Sequence, residues 1–213
     1  MRYGGHPMFS HPNKFRLRLL LTLVGVLIQG FGTSWLIRLG MGSDPFTNFT
    51  VACDAYTPFS FGTTQALVNA IMIIYVVIFS RKMIGYGTVA NMVILGYIID
   101  FFDWCWNQIL PINMFDNRLL AWVILIPAFA CVIIGASVYM TAGLGTSPYD
   151  GIPFILSEQL KKPFKYCRMV WDICFMVIAY LLGGDCGVVT LIIAFFAGTI
   201  INAIKKKMEI ILR

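Results

Sequence analysis

The stretch Gly40-Met41-Gly42-Ser43-Asp44-Pro45-Phe46 returns later in the chain as Gly143-Leu144-Gly145-Thr146-Ser147-Pro148-Tyr149. Each residue of the second copy lies 103 positions after its counterpart, and Asn69 and Asp172 correspond at the same offset. An offset of 102 then aligns Gly85 with Gly187 and Thr88 with Thr190, as a one-residue deletion in a connection would produce. The sequence therefore predicts one structural unit present twice in a single membrane domain (1–213), as repeat one (14–110) and repeat two (115–206).

The composition is that of an integral membrane protein. Of the 213 residues, 59% are apolar and only 12% are charged, and the mean hydropathy is +0.80. A typical soluble domain carries about 25% charged residues. The apolar residues form long uninterrupted runs, which favours helices over the alternating strands of a barrel.

Six runs are candidates for membrane-spanning helices, since a span needs about 20 apolar residues. They are roughly 17–39, 65–80, 85–106, 119–140, 168–182 and 188–203. Each repeat then crosses the membrane three times, and an odd number of crossings inverts the second copy relative to the first. We therefore predict an all-α membrane protein made of two inverted-topology three-helix repeats.

The basic residues predict the orientation. Fourteen of the 16 lysines and arginines fall in the amino tail, the connection at 81–82, the segment 161–168 and the carboxyl tail. These four segments lie on one side of the predicted topology, which the positive-inside rule makes cytoplasmic. We expect a multi-pass protein of the bacterial cytoplasmic membrane with both termini inside. The net charge of +6 then reflects topology and anionic membrane lipid, and nucleic acid is not an expected partner.

The repeated motif is typical of one helix ending and another beginning. We expect the glycines to adopt left-handed caps, Ser43 or Asp44 and Thr146 or Ser147 to serve as N-caps, and the prolines to open short half-helices. The helix-break residues are Gly40, Gly42, Pro45, Gly143, Gly145 and Pro148. A half-helix N-terminus that points inward attracts an anionic group, which makes Ser43, Thr146 and Ser147 candidate binding residues. The same residues also suit capped turns at the membrane surface, and the sequence leaves both interpretations open.

Four polar or aromatic residues inside the predicted spans are further candidates for substrate or ion binding: Asp172, Asn69, Trp171 and Asn91. An ionisable residue within a span is a candidate for proton or cation coupling, or for substrate contact. Asn69 occupies the position of Asp172 in the other repeat, so we expect the two to face each other near the midplane. Interhelical hydrogen bonds are the structural alternative for all such residues.

Metal, cofactor and catalytic sites are not predicted. The six cysteines form no CxxC pair, and His6 and His11 lie in a polar tail. The chain lacks GxSxG and HExxH motifs, so we do not expect an enzyme.

The chain resembles the YczE/YyaS/YitT-type integral membrane proteins of bacteria. The resemblance rests on residues 143–149 and their first copy, on Gly85-Tyr86-Gly87-Thr88 opening the third span, and on Asp100 late in that span. Tyr149-Asp150 retains an aromatic-Asp pair from which Phe46-Thr47 departs. The resemblance implies a six-span protein of the bacterial inner membrane.

These features together predict a small secondary transporter for a small solute, with its site between the inverted repeats. Two alternatives stay open. One is the membrane substrate-binding subunit of a multi-component uptake system, docked through the basic segment 161–168 to a partner ATPase. The other is a non-transporting accessory or regulatory membrane protein. A homodimer is compatible with six spans.

Overall fold

The computed structural model describes residues 13–110 and 118–184, together with residues 187, 190, 191, 193–197, 200, 201, 203, 204, 207 and 208. Within this part of the chain, four helices are long and apolar enough to cross a membrane. They are α1 (Phe15–Leu39), α3 (Phe61–Phe79), α4 (Tyr86–Ile109) and α5 (Arg118–Ala142). Residues Ala90–Ile94 of α4 form a π-helical turn, and a second one lies at Ile193–Ala197.

The predicted fifth span corresponds to a helix, α7 (Phe164–Leu181), that is not one of these four. Its 18 residues include Lys165, Arg168 and Asp172, so its charge content is high for a spanning segment. The predicted sixth span falls in a region of which only separate residues are described.

Two short helices follow the repeated motif. They are α2 (Pro45–Asp54) and α6 (Pro148–Gln159), and each begins at the proline as the sequence predicts. The chain reaches them through Gly40, Gly42, Gly143 and Gly145, whose φ angles of 62°, 93°, 66° and 113° favour glycine. The N-caps are Asp44 and Ser147, which settles the choice that the sequence left open at each motif.

The two long helices α1 and α5 cross in close contact. A Cβ atom on Gly25 would lie 2.8 Å from the carbonyl oxygen of Gly135, and one on Gly135 would lie 2.6 Å from that of Gly25. A Cβ on Gly32 would lie 2.6 Å from the carbonyl oxygen of Ala128. Small residues at this crossing therefore bring the two backbones together, which is how helices associate in lipid.

The other helices pack across the two halves of the chain. Helix α2 packs on α7, and α6 packs on α3. The outer surface is apolar, with Ile71, Leu119 and Ile126 each more than 70% exposed, whereas polar Thr22, Thr50, Asn69 and Ser137 are fully buried. An apolar exterior around a polar interior suits a protein whose surroundings are lipid.

Substituting Gly135 with alanine should destabilise the protein. The added Cβ meets the α1 backbone, which cannot move aside as a flexible side chain would, and such overpacking costs about 1–3 kcal/mol. Thermal unfolding in detergent measures the effect. Gly151→Ala is the matched control, because its Cβ comes no closer than 3.5 Å to another atom. Equal unfolding temperatures for the two variants would contradict the close crossing.

Candidate functional site

The amino ends of α2 and α6 meet in the interior. Phe46 and Tyr149, each the second residue of its half-helix, stack with ring centroids 4.9 Å apart. Both side chains are more than 90% buried. Two positive helix-dipole ends therefore approach each other inside the protein.

Each half-helix carries its own carboxylate at this end. Asp44 caps α2 by accepting hydrogen bonds from the backbone N–H (3.1 Å) and the hydroxyl (2.5 Å) of Thr47. In α6 the hydroxyl residue is the N-cap and the acid follows three residues later. The hydroxyl of Ser147 accepts from the N–H of Asp150 (3.1 Å) and donates to its carboxylate (2.8 Å). The N-terminal positions at which the sequence predicts an anionic substrate group are thus occupied by acids of the protein itself.

Arg168 of α7 joins two carboxylates. Its Nη1 lies 2.6 Å from Asp150 Oδ1, and its Nε lies 3.0 Å from Asp172 Oδ2. The side chains of Arg168 and Asp172 are only 20% and 4% exposed. Charges removed from water in this way are stable only when they are paired and hydrogen-bonded.

Two tyrosines complete the coordination of these carboxylates. The hydroxyl of Tyr149 donates to Asp172 (2.5 Å), and that of Tyr139 on α5 donates to Asp150 (2.6 Å). The guanidinium of Arg168 also lies over the Tyr149 ring, 4.9 Å from its centroid. We call Tyr139, Ser147, Tyr149, Asp150, Arg168 and Asp172 the ionic cluster.

Three of the predicted site residues belong to this centre. Asp172 and Ser147 are part of the ionic cluster, and Trp171 borders it with its ring 6.0 Å from that of Tyr149. The indole N–H of Trp171 is buried without a hydrogen-bond partner among the described residues. Phe175 packs edge-on against Tyr149, so the cluster is walled by aromatic rings.

The other predicted residues lie elsewhere or make different contacts. Ser43 donates to Asn48 Oδ1 (2.6 Å), and the amide of Asn48 donates to Thr190 (2.7 Å). Asn91 lies in the π-helical turn and reaches Gln29 at 3.4 Å. The hydroxyl of Thr146 is buried without a partner in the described part of the chain.

Asn69 and Asp172, which we expect to face each other, share no hydrogen bond. Tyr149 and Arg168 take up both oxygens of the Asp172 carboxylate. The side chain of Asn69 is fully buried, and neither its oxygen nor its nitrogen has a hydrogen-bond partner among the described residues.

Sequence reasoning missed Arg168, Tyr139 and Tyr149, and gave Asp150 no site role. Arg168 closes the basic segment 161–168, so it was counted among the cytoplasmic charges, yet its side chain turns inward while Lys161, Lys162 and Lys165 are exposed. One signal was available in the sequence. Arg168 and Asp172 are four residues apart on a helix, a spacing at which opposite charges pair.

A family model with the description "Family of unknown function (DUF6198)" matches residues 16–206. The chain belongs to the DUF6198 family. The "Uncharacterized membrane protein YczE" of Bacillus subtilis is 26% identical over 190 residues, which cover 87% of this chain and 84% of that protein. The "Uncharacterized protein YyaS" of Bacillus subtilis is 24% identical over 186 residues, covering 87% and 91%. An "Uncharacterized protein" of Haemophilus influenzae is 24% identical over 186 residues, covering 85% and 80%.

No solved structure matches the chain. The match to this family and to YczE and YyaS confirms the resemblance found in the motifs. Together with its four apolar helices, it identifies the chain as an integral membrane protein.

Replacing Arg168 with glutamine should cost about 3–5 kcal/mol of stability, because it leaves two buried carboxylates unpaired. The double variant Arg168→Gln/Asp172→Asn should recover much of this loss. It recreates the Gln65 and Asn69 pair of the first repeat, and Asp150 keeps its bonds to Tyr139 and Ser147. Denaturation in detergent measures both variants. A double variant less stable than Arg168→Gln would contradict this description of the cluster.

Proposed function

We propose that the chain is a small secondary transporter of the bacterial cytoplasmic membrane, built from two inverted repeats with both termini cytoplasmic. The solute site lies where the amino ends of α2 and α6 meet, beside the ionic cluster. The observation that carries the proposal is this meeting of two broken-helix ends around buried charge. Transporters with inverted repeats commonly bind substrate and coupling ions between such discontinuous helices.

Contacts between corresponding positions support the inverted repeat. Helix α2 packs on α7 while α6 packs on α3, so each half-helix contacts the long helix that follows the other half-helix. A Cβ on Gly42 would lie 2.8 Å from the backbone nitrogen of Gly187, and one on Gly145 would lie 2.7 Å from that of Gly85. Gly42 corresponds to Gly145 at an offset of 103, and Gly85 corresponds to Gly187 at an offset of 102. The two contacts are therefore equivalent in the repeat.

Two further features have the same symmetry. Phe46 and Tyr149 correspond in the repeat and stack on each other, which is expected of residues on a pseudo-two-fold axis. The π-helical turns at Ala90–Ile94 and Ile193–Ala197 occupy nearly equivalent positions. Such turns are frequent at functional sites.

The charge of the centre favours a cationic solute or a coupling proton over the anionic group that the sequence suggested. Arg168 pairs with the carboxylates of Asp150 and Asp172, and the carboxylate of Asp44 caps the neighbouring half-helix. Two helix N-termini contribute about half a positive charge each, which leaves roughly one negative charge uncompensated. Uncompensated charge in a low-dielectric interior is costly, so the site gains from binding a cation or proton.

Alternating access in this proposal comes from rocking of one half against the other. The α1 and α5 crossing provides a close-packed contact between the halves, and the glycine contacts lie at the two motifs. The uptake-system alternative used the segment 161–168 for docking. Because Arg168 turns inward, that surface keeps only three of its four basic residues, which weakens the docking alternative.

Asp172→Asn should abolish uptake of radiolabelled methylammonium into proteoliposomes driven by a proton or potential gradient. The substitution removes a buried carboxylate that the proposal assigns to cation or proton binding, and Arg168 keeps Asp150 as its partner. Folded yield should remain close to that of the wild type.

Asp103→Asn is the matched control, because its side chain is 47% exposed and contacts Arg38 away from the centre. It should transport at the wild-type rate. Gradient-driven uptake that is equal in the wild type and Asp172→Asn, or absent from the wild type, would contradict the proposal.

A further inference from the structure

The ionic cluster has an uncharged counterpart in the first repeat. Arg168 corresponds to Gln65 and Asp172 to Asn69, each 103 residues apart. Both pairs are i, i+4 pairs, on α7 and α3 respectively. Where the second repeat has a buried ion pair, the first therefore has two buried amides, with Gln65 2% and Asn69 0% exposed.

The two pairs differ in whether their polar atoms are satisfied. Arg168 and Asp172 bond to each other and to Asp150 and Tyr149. In contrast, Gln65 Oε1, Asn69 Oδ1 and Asn69 Nδ2 are buried without a hydrogen-bond partner among the described residues. The sequence explains the difference, because the first repeat has Phe46 where the second has Tyr149, and Thr47 where it has Asp150.

Gln65 and Asn69 lie on the buried face of α3. Gln65, Asn69, Met72 and Val76 are spaced by four, three and four residues, which puts them on one face of α3. Met72 and Val76 belong to the buried apolar cluster that contains Phe46 and Tyr149. Asn69 is thus on the face of α3 that looks toward the stacked aromatic pair.

Buried polar atoms that find no partner among the described residues are costly to leave unsatisfied. Native proteins leave few such groups, and those they keep call for a functional explanation. Asn69 offers an acceptor and two donors, and Gln65 an acceptor. These amides are uncharged, and a ligand group that satisfies them presents at least one donor and one acceptor.

We propose that Gln65 and Asn69 form a neutral subsite of the solute site, which binds a carboxamide-like group by a paired donor and acceptor contact. The proposal rests on the proposed transport function, and it assigns the solute a second, uncharged polar group besides the one that meets the carboxylates. The solute class is then a small polar molecule with one cationic and one amide-like end.

The test uses purified full-length protein and two probes, acetamide for the neutral subsite and methylammonium for the ionic cluster. We expect acetamide to raise the unfolding temperature saturably in the wild type, and its isostere acetate to leave it unchanged. The acetamide effect should be lost in Asn69→Leu and in Gln65→Leu and kept in Asp172→Asn. Acetamide without effect on the wild type, or with an equal effect on Asn69→Leu, would overturn the proposal.

The unfolding temperature without ligand distinguishes a ligand-binding role of Asn69 from a purely structural one. Without ligand, Asn69→Leu should match or exceed the wild-type unfolding temperature, because it removes unsatisfied buried atoms. The matched Asn48→Leu should lower it, since Asn48 is bonded to Ser43 and Thr190. Equal losses in both variants would overturn the proposal.

The methylammonium arm distinguishes this proposal from the transport function. Stabilisation by methylammonium should persist in Asn69→Leu and disappear in Asp172→Asn. If methylammonium behaves in this way while acetamide fails, the neutral subsite is wrong and the cationic site stands. If both probes fail in the wild type, the proposed function fails as well.

Discussion

Arg168 holds together the centre of this protein. It bridges Asp150 at the amino end of α6 and Asp172 in the middle of α7, and both carboxylates are further bonded by tyrosines. These contacts fix the short helix α6 against α7, and the stacking of Tyr149 on Phe46 fixes α2 against α6. A buried arrangement of this kind requires mutual pairing, so the positions of both half-helices depend on one guanidinium.

In the inverted repeat that we propose, corresponding positions carry two kinds of chemistry. At corresponding positions the second repeat has Tyr149, Asp150, Arg168 and Asp172, and the first has Phe46, Thr47, Gln65 and Asn69. The residues of the second repeat bond to one another, whereas polar atoms of Gln65 and Asn69 in the first repeat have no partners among the described residues. Sites between repeats can become asymmetric in this way and recognise two different ends of one solute.

The sequence was sufficient for features that depend on local chemistry. Pro45 and Pro148 start helices because proline tolerates the first helical position, and Gly40 and Gly143 adopt left-handed conformations directly after α1 and α5. Features that depend on the direction in which a side chain points were not predictable. The basic run from Lys161 to Arg168 looks cytoplasmic as a group, and composition cannot tell that the last member turns inward. The helix dipoles favour an anionic group at these two helix ends, but in the structure the carboxylates of Asp44 and Asp150 lie there.

The central claim is that both motifs lie inside the protein between its halves, rather than at opposite membrane surfaces. Cysteine labelling in proteoliposomes tests it directly, with Ser43→Cys or Thr146→Cys in a background from which the native cysteines have been removed. Ser43 and Thr146 are 1% and 6% exposed. The account predicts that a membrane-impermeant maleimide modifies both positions slowly from either side, compared with exposed Lys161→Cys from its own side. Rapid labelling of Ser43→Cys from one side and of Thr146→Cys from the other would contradict it.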